Sequence, residues 1–353
     1  MFKLEPRATP STTLMLASPL VALAITVCIG VLLFLALGKD PLAGLQMFLV
    51  EPLKSSYALS ELSVKATPLI LIGLGLAVCF KANIWNIGAE GQFVMGAVFA
   101  GGVAMRASPD SASWIWVLVL LAGALGGMLW AAIVALLRDR FNASEILVSL
   151  MLVYVAEMVL SYLVYGPWKD PAGYNFPQTI TFLDVTRVPK LVSGLRMNVG
   201  VGIAAVAVLV LTVFMARTYA GFQLQVGGLA PAAARYAGFS SRRALWTALL
   251  LSGAMAGLAG GLDAAGPQGQ LTPYIPMGYG FGAIIVAFVG RLHPVGIVFS
   301  AVLMSMFYIG GELAQSRLGL PKALTGVFQG LLLFALLACD TFIHQRLRWV
   351  AAK

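Results

Sequence analysis

The chain carries little charge. Asp, Glu, Lys and Arg make up 10% of its 353 residues, against roughly 25% in a soluble domain. Histidine is nearly absent. His293 and His344 stand alone, so no H-E-x-x-H zinc site can be built, and both read as solvated interfacial residues near loop or span ends. Cys28, Cys79 and Cys339 each fall inside an apolar run without metal-ligand spacing; they read as small buried hydrophobes and report no redox compartment. The single Gly-Lys pair, Gly38-Lys39, is followed by Asp40, which excludes a P-loop for a nucleotide phosphate. No Ser/His/Asp set occurs, and the alternating pattern of a transmembrane barrel is missing. These absences exclude a soluble domain, a zinc hydrolase and a P-loop ATPase, and they disfavour a membrane enzyme.

What the chain does have is apolar length. Hydrophobic residues account for 60% of it, in runs of about 18 or more, enough to cross a hydrocarbon core of roughly 30 Å. The expected fold is an all-α integral membrane protein. The net charge of +9 does not point to nucleic acid, because the basic residues sit in short loops between apolar runs, as the positive-inside rule produces. Lys3 and Arg7 before an apolar stretch imitate a signal peptide, but Leu14–Gly38 is too long for a signal core and reads as an uncleaved first span.

Ten spans are expected, at 14–38, 58–80, 86–106, 113–137, 144–165, 197–217, 244–263, 278–290, 294–313 and 322–340, in one transmembrane domain over 1–353. Both termini then lie on one side, with tails at 1–13 and 341–353. Thirteen of the 23 basic residues, among them Lys81, Arg138, Arg140 and Arg217, fall on that side, which is assigned to the cytoplasm. The eighth span is short and follows the Gly/Pro-rich stretch "GLDAAGPQGQLTPYIPMGYG", read as partly re-entrant, since non-helical backbone at membrane depth must be satisfied by protein or a wet cavity.

Three details refine this picture. "GAEGQ" at Gly88–Gln92 recurs as "GPQGQ" at Gly266–Gln270, each between the second and third spans of its own five-span half. Five is odd, so the halves would be inverted, and broken segments at matching positions point to a transport path between them. Glu90, at the mouth of an apolar run, and Glu157, inside the fifth span, each need a partner in the bundle. The longest connection on the cytoplasmic side, Arg217–Trp246, holds helix punctuation: Pro231 suits a first helical turn and Gly238 a left-handed cap. Such a helix is too short to stand alone, so it either docks as an ordinary loop helix or is presented to a soluble partner.

Three stretches, "TPLILIGLGLAVCFKANIWNIGAEGQ" (Thr67–Gln92), "APAAARYAGF" (Ala230–Phe239) and "FGAIIVAFVGRLHPVGI" (Phe281–Ile297), resemble the membrane permease subunit of ATP-binding-cassette importers. The group is the one serving nucleosides, simple sugars and branched-chain amino acids, and the nearest type is the nucleoside one fed by basic-membrane-protein-class receptors. The family usually has Asn-Pro where this chain has Ala230-Pro231, which removes an N-cap side chain. The resemblance implies a multi-pass protein of the bacterial inner membrane that is not itself an enzyme. Its implied partners are an extracytoplasmic nucleoside-binding protein, a second permease subunit as heterodimer, and cytoplasmic ATPase subunits; ATP and Mg sit on the ATPase and this chain binds no cofactor. It makes 218–243 the coupling segment, with Pro231, Ala234, Arg235, Tyr236 and Gly238 facing the ATPase. Candidate pathway residues near the two breaks are Trp85, Asn86, Glu90, Gln92, Phe93, Gln268, Gln270, Tyr274, Tyr279 and Phe281. For Glu90 and Gln92 a packing and hydrogen-bonding role competes with direct solute contact. The alternatives are a permease for a simple sugar such as ribose, and a secondary transporter.

Overall fold

The computed structural model describes residues 2–6, 12–321 and 323–349. Within them the chain forms α1 (Thr12–Ala36), α2 (Pro41–Leu49), α3 (Ser56–Lys81), α4 (Ala89–Ala104), α5 (Ile115–Phe141), α6 (Glu145–Tyr165) and α7 (Gly200–Arg217). It continues as α8 (Tyr219–Leu229), α9 (Pro231–Tyr236), α10 (Ser241–Asp263), α11 (Tyr279–Val289), α12 (Pro294–Leu318) and α13 (Ala323–His344). One two-stranded ladder departs from the all-α expectation: β1 (Phe2–Pro6) pairs antiparallel with β2 (Gln345–Trp349). Each expected terminal tail thus contributes one strand, while residues 1, 7–11 and 350–353 lie outside the described residues.

Packing divides the chain into two compact units, Met1–Leu59 with Leu303–Lys353, and Ser60–Val302. In the first, Phe34, Phe48, Phe307 and Phe328 cluster, with the rings of Phe48 and Phe328 4.8 Å apart. Asp40 starts α2 by accepting a 2.9 Å hydrogen bond from the Leu42 amide, with Pro41 in the first turn, where its missing N–H costs nothing.

The second unit is built around α3 and α4. In the most apolar window of α3, 89% of residues are buried, against 22% in α6 and α7; α3 is an interior helix and the other two face outward. Close approach of α4, α5 and α10 comes from glycine. A Cβ on Gly257 of α10 would overlap the Gly123 carbonyl of α5 and sit 2.7 Å from the Gly127 nitrogen. A Cβ on Gly96 of α4 would meet the Gly257 backbone, and one on Gly260 the Phe93 carbonyl. The spacings Gly123-x₃-Gly127 and Gly253-x₃-Gly257 are the small-x₃-small pattern that lets membrane helices touch backbone to backbone.

Each expected span contains a helix, but the helices differ in kind. Eight are long and apolar enough to cross a membrane. The other two are short: α4 has 16 residues and α11 has 11, roughly 24 Å and 16 Å at 1.5 Å per residue. Both follow a non-helical break, 82–88 and 269–278, at corresponding places in the two halves. The pentapeptide echo does not correspond, however. Gly88–Gln92 opens α4, whereas Gly266–Gln270 closes α10 through a π-helical turn over Ala264–Gln268. Cys28 is exposed on α1 rather than buried. Glu157 is half-buried on α6 and has no hydrogen bond or ion pair among the described residues.

Candidate translocation core and coupling segment

The two broken helices meet at Glu90. Its side chain is 1% exposed and reaches from the first turn of α4 to the N-terminus of α11. There it accepts a 2.8 Å hydrogen bond from the Gly278 amide and a second from the Gly280 amide. A helix N-terminus leaves such amides without intrahelical partners and carries a partial positive charge, so a carboxyl group there acts as a cap lent by another helix. Gly280 is needed for the approach, since a Cβ on it would overlap the Glu90 backbone. Gly278 enters α11 in the left-handed conformation, φ 77°, which glycine adopts at no steric cost.

The α4 break is closed by a side-chain network. Asn86 and Gln92 exchange hydrogen bonds of 2.9 and 3.1 Å through their amides. Asn86 also donates to Ser252 of α10 at 3.0 Å and accepts from the Gly88 amide. Ser149 of α6 accepts from the Ile87 amide, and Gly88 lies against the Ser149 backbone. Phe93 and Tyr279 meet edge to face at 5.8 Å and are both buried. Thus Asn86, Glu90, Gln92, Phe93 and Tyr279 come together, as hydrogen-bonding and packing partners.

The other candidates lie apart from this junction. Trp85 packs tilted against Phe80 at a ring distance of 5.4 Å and stacks with Phe288 at 6.2 Å. Gln268 ends the π-helical turn after α10, and Gln270 contacts Gln178 and Thr181. Tyr274 is 77% and Phe281 41% exposed. The segment 271–278 runs alongside α4, from Leu271 against Gly101 near its C-terminus to Gly278 at Glu90. It is the expected re-entrant segment, and its upper part is held by the 166–199 loop. Thr179, Phe182 and Val188 donate backbone hydrogen bonds to Leu271, Gly269 and Ala265. Sequence reasoning missed that cover, because a long loop with no hydrophobic period gives no sign of where it packs. It also missed Lys65 and Asp263, both buried within spans, and the Arg196–Glu61 ion pair at 3.2 Å. Intramembrane charges of this kind are the signal that could have found them.

The opposite end of this unit carries α8 and α9. Pro231 takes the first position of α9, and Gly238 follows it with φ 79°. The Phe239 amide then bonds the Ala234 carbonyl at 2.9 Å. Ala234 faces inward, while Arg235 and Tyr236 are exposed, Tyr236 at 97%. The Phe239 ring packs edge-on to Tyr219 and Phe222 of α8. A cavity of about 470 Å³ beside this corner is lined by Arg138, Asp139, Glu145, Arg235, Arg242 and Arg243 among others. α8 was not expected. Thr218 caps it through the Gly221 amide at 3.1 Å, and Gly227-Gly228 do not break it because Gly228 packs on the backbone of Lys81 and Ala82.

A multi-pass bundle with two broken helices meeting inside it, and a short helix displayed at one end, defines a membrane transport protein. The family model described as "Branched-chain amino acid transport system / permease component" matches residues 58–337, and the chain belongs to that family. It is similar to the glucose ABC transporter permease protein TsgB13 of Haloferax volcanii, with 34% identity over 98% of this chain and 93% of that protein. The guanosine ABC transporter permease protein NupP of Bacillus subtilis is 28% identical over 88% of this chain and 89% of its own. The nucleoside ABC transporter permease protein NupB of Lactococcus lactis is 27% identical over 90% and 89%. The chain is thus an ABC importer permease of this group, and the secondary-transporter alternative falls away.

Proposed function

We propose that the chain forms part of the translocation pathway of an ABC importer for purine-type nucleosides. An extracytoplasmic binding protein delivers the solute at the 166–199 end, and separate ATPase subunits drive the cycle at the α9 end. A second permease subunit completes the membrane core as a heterodimer. The termini lie in the cytoplasm with α9, and the membrane is the inner membrane of a bacterium. The observation that carries the cargo reading is the Asn86–Gln92 stretch, which resembles the nucleoside branch and here closes the break before α4. Two permeases named for nucleosides match about nine-tenths of the chain. A sugar remains the second reading, favoured by the higher identity to the glucose permease. Uptake of labelled guanosine and glucose by cells with and without the gene separates the two.

The α9 geometry supports its role as coupling helix, and two substitutions test it in the reconstituted complex. Gly238 has open space around it, so Gly238→Val acts through conformation alone. A β-branched residue in the left-handed region costs about 1–2 kcal/mol, which unseats the end of α9. Arg235→Glu reverses an exposed charge at the displayed surface. Both variants are expected to insert normally and to lose ATP hydrolysis stimulated by the loaded binding protein. Wild-type stimulation in both would remove α9 from the coupling path.

A further inference from the structure

The coupling reading explains how α9 meets a partner but not how its movement reaches the glycine seam. Asp139 supplies a physical link. It lies in the last turn of α5, and its side chain is only 12% exposed although it stands at a helix end. Its Oδ2 accepts from Arg242 Nε at 2.7 Å and from Trp246 Nε1 at 3.1 Å. Arg242 and Trp246 are four residues apart on α10, hence on one face, in the turns directly after α9. The connection from α9 to that face is short and fixed at both ends. Gly238 and the Phe239–Ala234 bond close α9, and Ser240 caps α10 by accepting from the Arg243 amide at 3.3 Å. The α5–α6 corner is pinned separately. Arg138 pairs with Glu145 at 3.2 Å and donates to the Ala143 carbonyl at 3.3 Å, so Asp139 is left to α10 alone.

We infer that Asp139 is a positioning residue for coupling: gripped by Arg242 and Trp246, it makes the ends of α5 and α10 nearest α9 move as one body when α9 is displaced. Three turns further into the membrane the same two helices share the Gly123–Gly127–Gly257 contact, and α4 joins them through Gly96. A displacement of α10 alone would shear that backbone contact. With Asp139 engaged, α5 follows and the seam travels intact to the helix carrying Glu90. The ion pair is directional and close, and its desolvated carboxylate side favours a charge-assisted bond, the stronger kind.

The inference rests on α9 being the ATPase contact, and the test keeps the two apart. Asp139→Ala, Trp246→Phe, Arg242→Asp and the swap Asp139→Arg with Arg242→Asp are assembled with the ATPase, second permease and binding protein. Three readouts are taken: copurification of the ATPase, unstimulated ATP hydrolysis, and stimulation by loaded binding protein. Asp139→Ala should keep the first two near wild type and lose stimulation about fivefold or more, the scale of a typical coupling free energy. Trp246→Phe, which removes one donor and keeps a smaller aromatic ring, should fall in between, and the swap should recover part of what Arg242→Asp loses. Full stimulation in Asp139→Ala overturns the inference. Loss of ATPase copurification also overturns it, since Asp139 would then belong to docking. If Arg235→Glu leaves both copurification and stimulation intact, the α9 reading itself fails, whatever Asp139 does.

Discussion

Gly257→Ala should sharply destabilise the protein, although it adds only one methyl group to a helix. The added carbon would overlap the Gly123 carbonyl oxygen and lie 2.7 and 2.8 Å from the Gly127 nitrogen and Cα. All three neighbours are backbone, so no rotamer change can relieve the overlap. Helices α5 and α10 must part, and the contact of α10 with α4 through Gly96 opens with them. Overpacking a tight site costs about 1–3 kcal/mol and more where backbone has to move, so a loss of at least ~3 kcal/mol is expected. The control is Gly202→Ala on α7, where nothing lies within 4 Å. There alanine should be neutral or stabilise by up to about 1 kcal/mol, because glycine is the poorer helix former. Thermal inactivation of the two purified variants in one detergent makes the comparison. Equal stability would mean that the three helices are not in backbone contact.

Replacement of Glu90 should have the second largest effect. Glu90→Ala removes the carboxyl acceptor from the buried Gly280 amide and the part-buried Gly278 amide, and a buried donor left unsatisfied costs about 1–3 kcal/mol. The N-terminus of α11 would also lose the carboxyl group that faces its dipole. Glu90→Gln keeps one acceptor oxygen and turns an NH₂ group toward the other amide, so it should recover only part of the loss. Stability and maximal transport rate should fall together, in the order Glu, Gln, Ala. A different pattern would assign Glu90 to the solute: Glu90→Gln with wild-type stability and rate but a raised KM.

The contrast between these two sites shows what the sequence made legible. The seam is written locally, in glycines at four-residue spacing on α5 and α10, but with 38 glycines in the chain that spacing alone does not single out the ones in contact. The α9 helix is local too, since proline at its first position and glycine after its end act through their own φ angles. Glu90 is different. The sequence shows that a carboxyl group in an apolar segment needs a partner, but the partner is an amide 188 residues away, placed by a re-entrant segment whose path depends on the whole bundle. The GAEGQ and GPQGQ echo drew attention to the right half-chain and the wrong end of the break. One copy starts a helix and the other ends one, because five residues rich in glycine suit either terminus. The aromatic candidates scattered for a related reason. Phe93 and Tyr279 filled the core at the junction, whereas Trp85 paired with Phe288 on a separate stack, and nothing in their spacing distinguishes a packed ring from an open one.

The cargo is tested most directly in proteoliposomes holding this chain with its second permease, ATPase and binding protein. ATP-dependent accumulation of labelled guanosine, adenosine, ribose and glucose would be measured with each solute presented through the same binding protein, and with Arg235→Glu as the uncoupled control. Accumulation of guanosine and adenosine that needs ATP, fails for ribose and glucose, and disappears in Arg235→Glu is the expected result. Accumulation of glucose or ribose alone would contradict the nucleoside assignment, and accumulation undiminished in Arg235→Glu would contradict the coupling one.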